Sequence, residues 1–414
     1  MSEHQAEDRK QTSAGSASST SSISLTRRHN RSTRTFIVHT LVRPFRYFIL
    51  KPGKPWPADS PQLTPHKSCS KTCQVNERLV ASIYIYDIEP RKSKTTTSKR
   101  STNAAAAHTS VTKEIAHEGA QADTLQKNEE SGIKRRIYYI AGGSWKKPPS
   151  IEHWQLAAKV ASAVPHTAVS VISVPLAPRE TAPTAFPKLL AMYEQVMIES
   201  KERGEYVIWA GDSSGANIVL GLIGEALRVG RPGPNGTVRT TEKVSSPTRQ
   251  AEYIEEEKQP INDREGPRPL LAPSALFLIC PSVDANRDNP DIAKLERLDP
   301  VLKADDSKKF AVAWSGDWSV NDERISPALE GRPGDHVVQL LHERGVKVHG
   351  VTAGYDILSP DGIKLRDRLE KEGVQGKWLH WDKQMHCFPL AWIYGLPESK
   401  KGLYWILDVL SEEE

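Results

Sequence analysis

The stretch Tyr206-Val207-Ile208-Trp209-Ala210-Gly211-Asp212-Ser213-Ser214-Gly215-Ala216-Asn217-Ile218-Val219-Leu220 decides what kind of sheet this chain builds. Its first five residues are mostly apolar and β-prone. After Ser214 the apolar residues run on at helical spacing (ANIVLGLIGEAL), so a strand feeds a helix with only Gly-Asp-Ser-Ser-Gly between them. A serine on so tight a strand-to-helix turn has its hydroxyl pushed out at the sheet edge. Glycines on both sides remove the Cβ clashes that the strained backbone would create. The helix N-terminus behind it places partial positive charge where an oxyanion would form. The bland alternative is a plain βα turn with a capping serine, and a five-residue G-x-S-x-G string alone does not exclude it. The strand before and the helix after are what the mechanical requirement adds.

Strands and helices alternate on either side of this unit. Arg136–Ile140 and Ala168–Val174 read as strands, Ile151–Val164 and Phe186–Ser200 as helices, the latter with Pro187 in its first turn. Further strands are expected at Ala275–Cys280, Val346–Thr352 and Lys377–Trp381, and helices at His336–Arg344, Pro360–Glu372 and Tyr404–Leu410. Arg78–Asp87 alternates apolar and polar, which predicts an early antiparallel strand. The class is α/β: a mostly parallel sheet with helices on both faces, its chemistry at the carboxyl ends of the strands.

The rest of the chain is less regular. From Arg9 to Pro57 there are ten Lys or Arg and no Asp or Glu, and Thr12–Ser24 is mostly Ser, Thr, Ala and Gly. That composition predicts a disordered basic tail over residues 1–35. Two stretches without apolar periodicity, at about 92–131 and 232–267, read as disordered insertions. What is left is roughly 280 residues, one α/β domain spanning 36–414. Phe36–Leu50 (FIVHTLVRPFRYFIL) is apolar with Arg43 and Arg46 interleaved. It reads first as a helix covering the domain, kinked or ended by Pro44, and second as a segment lying on a membrane surface.

No run reaches the roughly eighteen apolar residues of a membrane span, and Met1-Ser2-Glu3-His4 lacks the layout of a secretory signal. Four scattered cysteines give no disulfide framework and favour a reducing compartment. Cytoplasm is the expectation; the basic, Ser-rich start partly fits a mitochondrial presequence, but Glu3, Glu7 and Asp8 count against it. Cys69, Cys73 and His66 lie near one another, yet their spacing is irregular and no fourth ligand is in view, so no metal is expected, nor any cofactor. The tail has no interleaved aromatics before Phe36, which favours solvation over nucleic-acid binding.

A nucleophilic serine needs a base, and the base needs an orienting carboxylate. On a strand–turn–helix site the order along the chain is Ser, acid, His. Of the histidines after Ser213, His336 and His342 fall on a helix, and His349 and His380 inside strands. Only His386 sits in a loop just past a strand end. Asp356 follows the strand VKVHGVT at the same edge. Asp361 already has a structural role, as a first-turn acid behind Ser359 and Pro360, and Asp382 is only four residues from His386. Oxyanion donors are expected at Gly142 and Gly143, in Ala141-Gly142-Gly143-Ser144-Trp145, together with the N–H of Ser214. Each of these has a plain turn reading; their occurrence in the required order carries the weight.

Together these segments resemble the hormone-sensitive-lipase branch of the α/β hydrolases (α/β-hydrolase fold-3), particularly its fungal carboxylesterase-like members, over about Arg136–Leu410. The family's His-Gly-Gly-Gly is matched by Ala141–Ser144 and its Gly-Asp-Ser-Ala-Gly-Gly-Asn by Gly211–Asn217. Its Asp-x-Leu is matched by Asp356-Ile357-Leu358 and its His-Gly-Phe by His386-Cys387-Phe388. Val174–Pro178 with Phe186-Pro187 resembles its Leu-Ala-Pro and Phe-Pro stretches. The resemblance implies an α/β-hydrolase fold with a small cap from the N-terminal and middle segments. It also implies a serine carboxylesterase or lipase-like activity: Ser213 as nucleophile, His386 as base, Asp356 as orienting acid, and Gly142, Gly143 and Ser214 on the oxyanion. Ala141, Ser144 and Ala216 depart from the pattern, which bears on efficiency and substrate more than on chemistry, because oxyanion donation is a backbone property.

Three rivals share features of this reading. An acyltransferase would use the same triad with an alcohol in place of water. A non-catalytic ligand-binding member of the fold would have lost a triad residue, and none is missing. A chymotrypsin-like protease needs its His and Asp before the serine and an all-β chain. The expected partner is a small-molecule ester. Its pocket wall is expected from Phe36–Trp56 and from Arg287–Asp317, including Trp314.

Overall fold

The computed structural model describes residues 21–46, 54–91, 132–228, 270–327, 329 and 336–413. The expected insertions lie outside these residues, as does the tail before residue 21. Among the described residues nine strands form one sheet, ordered β1-β9-β8-β7-β6-β4-β5-β3-β2. They are β1 (Ile23–Arg28), β2 (Cys73–Val80), β3 (Ile83–Pro90), β4 (Arg135–Ile140), β5 (Thr167–Ile172), β6 (Tyr206–Asp212), β7 (Ala275–Ile279), β8 (Lys347–Tyr355) and β9 (Gly376–Met385). From β1 to β5 in that order all neighbours pair parallel, while β3 and β2 pair antiparallel at the other edge. β4, β5 and β7 are buried along their whole length, as expected of central parallel strands covered on both sides.

The two faces follow from the alternation of side chains along each strand. Ile137 and Tyr139 join Trp154, Phe277, Leu379 and Trp381 beneath α2 (Ile151–Ala163) and α9 (Pro397–Glu412). Tyr138 and Ile140 point the other way, into a cluster with Trp209, Val219, Leu276 and Trp378. That second face is covered by α3 (Ala182–Glu202), α4 (Ser214–Arg228), α7 (Val337–Glu343) and α8 (Ser359–Lys371). Between β7 and β8 the chain makes α5 (Asp291–Glu296) and α6 (Ala304–Ser315). The N-terminal segment reaches this middle stretch: Arg43 donates to the Leu298 carbonyl, and Arg46 to those of Glu296, Asp299 and Leu302.

Three expectations need correction. The basic tail is structured from residue 21 onward. Ile23 to Arg28 pair in register with Gly376 to Trp381, and α1 (Thr33–Val42) follows, its N-cap Ser32 accepting from the Thr35 N–H. The composition misled because only Ile23 of this edge strand is buried; its polar, basic residues face water. Arg78–Asp87 is a hairpin of two strands. Its turn is Ala81-Ser82, with φ of 45° and 67°, and neither residue announces the left-handed turn that glycine or asparagine would. Helix α3 begins at Ala182, capped by Thr181, so Pro187 lies inside it.

Cys69 and Cys73 are fully buried, their thiols donating to the Trp154 and Ala158 carbonyls of α2. Burial pushes the Cys69 thiol up to about 11. No helix among the described residues is long and apolar enough to cross a membrane.

Candidate active site

The ends of β4, β6, β8 and β9 converge at one edge of the sheet, and each is followed by a residue of the site. Ser213 follows β6 with φ +54°, the strained left-handed geometry of a sharp turn. The turn is held by its N–H to the Ile279 carbonyl (2.9 Å) and by its carbonyl accepting from Ser282 (3.1 Å). Gly215 is indispensable here: a Cβ on it would sit 2.1 Å from the Ile140 carbonyl oxygen. His386 follows β9, and its Nε2 lies 2.9 Å from Ser213 Oγ. Its Nδ1 lies 2.8 Å from Asp356 Oδ2. Asp356 follows β8, is wholly buried, and accepts the Leu358 N–H on its other oxygen. A carboxylate on Nδ1 fixes the tautomer with hydrogen there, leaving Nε2 to accept the serine proton. Burial disfavours the charged imidazolium of His386. The Asp356 carboxylate, with Asp299 and Asp212 behind it, more than reverses this and raises its pKa above the ordinary histidine value. Asp382 is elsewhere, paired with His29 and His380 on a half-exposed surface.

The oxyanion loop differs from expectation. The Gly142 N–H donates to Asp212 Oδ1 (2.9 Å), so it is committed to a buried carboxylate. Asp212 sits so close that a Cβ on Gly142 would lie 2.5 Å from its Oδ2. The same carboxylate accepts from Tyr139 (2.5 Å) and faces His153 Nε2 (3.3 Å). Burial opposes its ionisation, but His153, Tyr139 and the Gly142 N–H together hold its pKa below the usual value. Ser214 Oγ in turn accepts from the N–H groups of Gly143 (3.1 Å) and Trp145 (3.2 Å). The Ser214 N–H, first in α4, has no intrahelical acceptor. Of the three expected donors, then, one is bound to Asp212, one is shared with a neighbouring hydroxyl, and one faces no helical partner.

Other residues of the site were not foreseen. Asp299, fully buried, accepts from the N–H groups of Val301 and Leu302 on one oxygen and from Ile357 on the other. One carboxyl group thus ties a wall of the cavity to the loop of Asp356. Burial and the charge of Asp356 push its pKa up to about 7. It lies on an irregular segment with no motif to mark it. The Cys280 and Cys387 thiols and the His386 ring bring ligand-type atoms within 4.8 Å of one another. Burial raises both thiol pKa values, and His386 Nε2 is engaged with Ser213.

A cavity of about 360 Å³ opens over Ser213, its apolar wall built by Leu302, Phe310, Met385, Leu390 and Tyr394. Phe310 and Leu302 belong to the expected stretch 287–317. Trp314 does not line the cavity; it is fully buried in the core. None of residues 36–46 lines it either, and the wall is completed instead by the turn after β9.

A family model described as the alpha/beta hydrolase fold matches residues 137–390, more than half of the chain. The chain belongs to the alpha/beta hydrolase fold family, in its hormone-sensitive-lipase-like branch. Similar solved structures include an esterase from the bacterial hormone-sensitive lipase family, at 14% identity, TM-score 0.57, covering 93% of this chain and 99% of that one. An esterase/lipase from an uncultured bacterium is 15% identical, with TM-score 0.56, over 92% of this chain and 99% of that one. The structure titled EstE5 soaked with p-nitrophenyl butyrate is 15% identical, with TM-score 0.57 and the same coverage. No curated protein matches the sequence.

Proposed function

We propose that this protein is a serine carboxylesterase that cleaves a small ester through an acyl-enzyme on Ser213. The observation that carries the proposal is the unbroken chain Ser213 Oγ–His386–Asp356, with contacts of 2.9 and 2.8 Å, beneath a largely apolar cavity. In this reading His386 takes the Ser213 proton as the hydroxyl attacks the ester carbonyl. It then returns that proton to the leaving alkoxide, so the alcohol departs neutral. Water, activated by the same imidazole, cleaves the acyl-enzyme and frees the acid. Asp356 holds the ring and balances the imidazolium charge. In this reading the Ser214 N–H donates to the oxyanion, while the Gly143 N–H must first leave the Ser214 hydroxyl; losing one such donor typically costs about 3 kcal/mol of barrier. The cavity's size and apolar wall fit a short acyl chain. The alpha/beta hydrolase family of the chain and the esterases among the similar solved structures point the same way.

Ser213→Ala is expected to cut turnover of p-nitrophenyl butyrate by at least about 10³-fold while circular dichroism and Tm stay unchanged. Undiminished turnover in that folded variant would sink the assignment. Product analysis with competing alcohols separates hydrolysis from acyl transfer by the same triad.

A further inference from the structure

Helix α1 turns several of its apolar residues outward. Its buried residues are Thr35 and His39, whereas Phe36 and Ile37 are each 49% exposed and Leu41 is 63% exposed. At 100° per residue these three lie within an arc of about 140°, and Phe45, 59% exposed in the following turn, extends the patch. A helix that only covers the domain puts its apolar stripe inward. This one is fastened by polar contacts instead. Glu398 accepts from the Ser32 N–H and from the Ser32 and Thr35 hydroxyls. Burial, helped by Arg31 and Arg43, pushes the inward His39 down to about 4 and keeps it neutral. Thr35 holds the inner face by its hydrogen bond to Glu398, His39 is buried there with neither ring nitrogen hydrogen-bonded, and among the described residues Phe36, Ile37 and Leu41 stay exposed on the outer side.

Two neighbouring features say what covers that face. The first is charge. Arg27 and Arg28, on β1 just before the helix, and Arg34 in it are exposed, Arg31 lies over the Phe36 ring at 4.7 Å, and no acidic residue occurs between Arg9 and Pro57. A second copy of the chain would bring like charges together, whereas an anionic lipid surface complements them. The second is position. Arg34 donates to the Tyr394 carbonyl, and Tyr394, 57% exposed, lines the cavity over Ser213. Arg46 donates to the carbonyl of Leu302, another lining residue. The apolar face and the cavity mouth are therefore joined at the same rim.

We infer that α1 and the turn after it dock this protein on an anionic phospholipid surface, with Phe36, Ile37, Leu41 and Phe45 among the acyl chains and the arginines at the headgroups. Four apolar side chains give reversible rather than permanent attachment. The consequence for substrate, that esters dissolved in the lipid reach Ser213 from the surface, rests on the esterase reading; the docking itself does not.

The test is co-sedimentation of the full chain with phosphatidylcholine vesicles, with and without about one part in three of phosphatidylglycerol. Expected are binding to the anionic vesicles only, release by high salt, and about a tenfold loss of the bound fraction in a Phe36→Ser/Leu41→Ser variant. Turnover of dissolved p-nitrophenyl butyrate stays at the parent level in that variant, so the enzyme reading is measured separately. Failure to sediment, or binding that the double variant leaves intact, overturns the docking. So does light scattering that shows a dimer converted to a monomer by the variant, since a second copy would then own the face.

Discussion

At Ser214 one hydroxyl oxygen accepts two N–H groups of the loop after β4. The alanine of the family pattern would leave the Gly143 N–H free. Ser214→Ala is therefore expected to raise kcat on p-nitrophenyl butyrate several-fold and to lower stability by about 1 kcal/mol through the lost hydrogen bonds. A fall in kcat together with unchanged Tm would refute this account of the hydroxyl. The hydrogen-bonded arrangement of Ser213, His386 and Asp356 was legible because three residue types had to stand at strand ends in one order. The engagement of Gly142 by Asp212 was not, because a motif fixes which residues share a loop but not which N–H a buried carboxylate will take. Asp299 was invisible for a related reason: its three N–H partners come from two segments that only the folded chain brings together.

Among the elements, the interior strands and their helices could be read off the sequence because burial on both faces leaves continuous apolar runs. Edges are harder. β1 buries one residue of six and is defined by its ladder to β9, a partner more than three hundred residues away. Deleting residues 21–28 is expected to lower Tm by roughly 5 °C and to promote association through the bared edge of β9. Calorimetry and light scattering check both, and an unchanged Tm would show that the strand contributes nothing. The β2–β3 hairpin escaped notice for the opposite reason: its turn uses alanine and serine where the left-handed geometry ordinarily selects glycine or asparagine.

For the whole molecule, the far end of the sheet is closed by Glu413. Its side chain meets Tyr206, Lys347 and His349, and its carbonyl accepts from Arg135, so the start of β4, β6 and β8 are all tied to the segment after α9. Burial opposes the charge on Glu413, but His349, Lys347 and Tyr206 outweigh it and hold its pKa well below the usual carboxylate range. A depressed folded value means that the stabilisation is present above the unfolded value, about 4.3, and fades as pH falls through the folded one. Glu413→Gln is expected to cost about 2 kcal/mol at pH 7. In denaturant titrations the gap between parent and variant should narrow steadily below about pH 4; a gap independent of pH would contradict the ionic account.

The pairing of β1 with β9 also has a consequence for the order in which the molecule can be made. Ser21 bonds to Glu370, 349 positions later, and Thr35 to Glu398, 363 positions later. A ribosome releasing this chain exposes Ile23 and the arginines after it long before their partners exist. The last parallel strand must emerge before the first can be placed. Contacts of such sequence separation form slowly, so the nascent protein can complete the β2–β3–β5–β4 end of its sheet early but spends most of its synthesis with the β1 end unfinished.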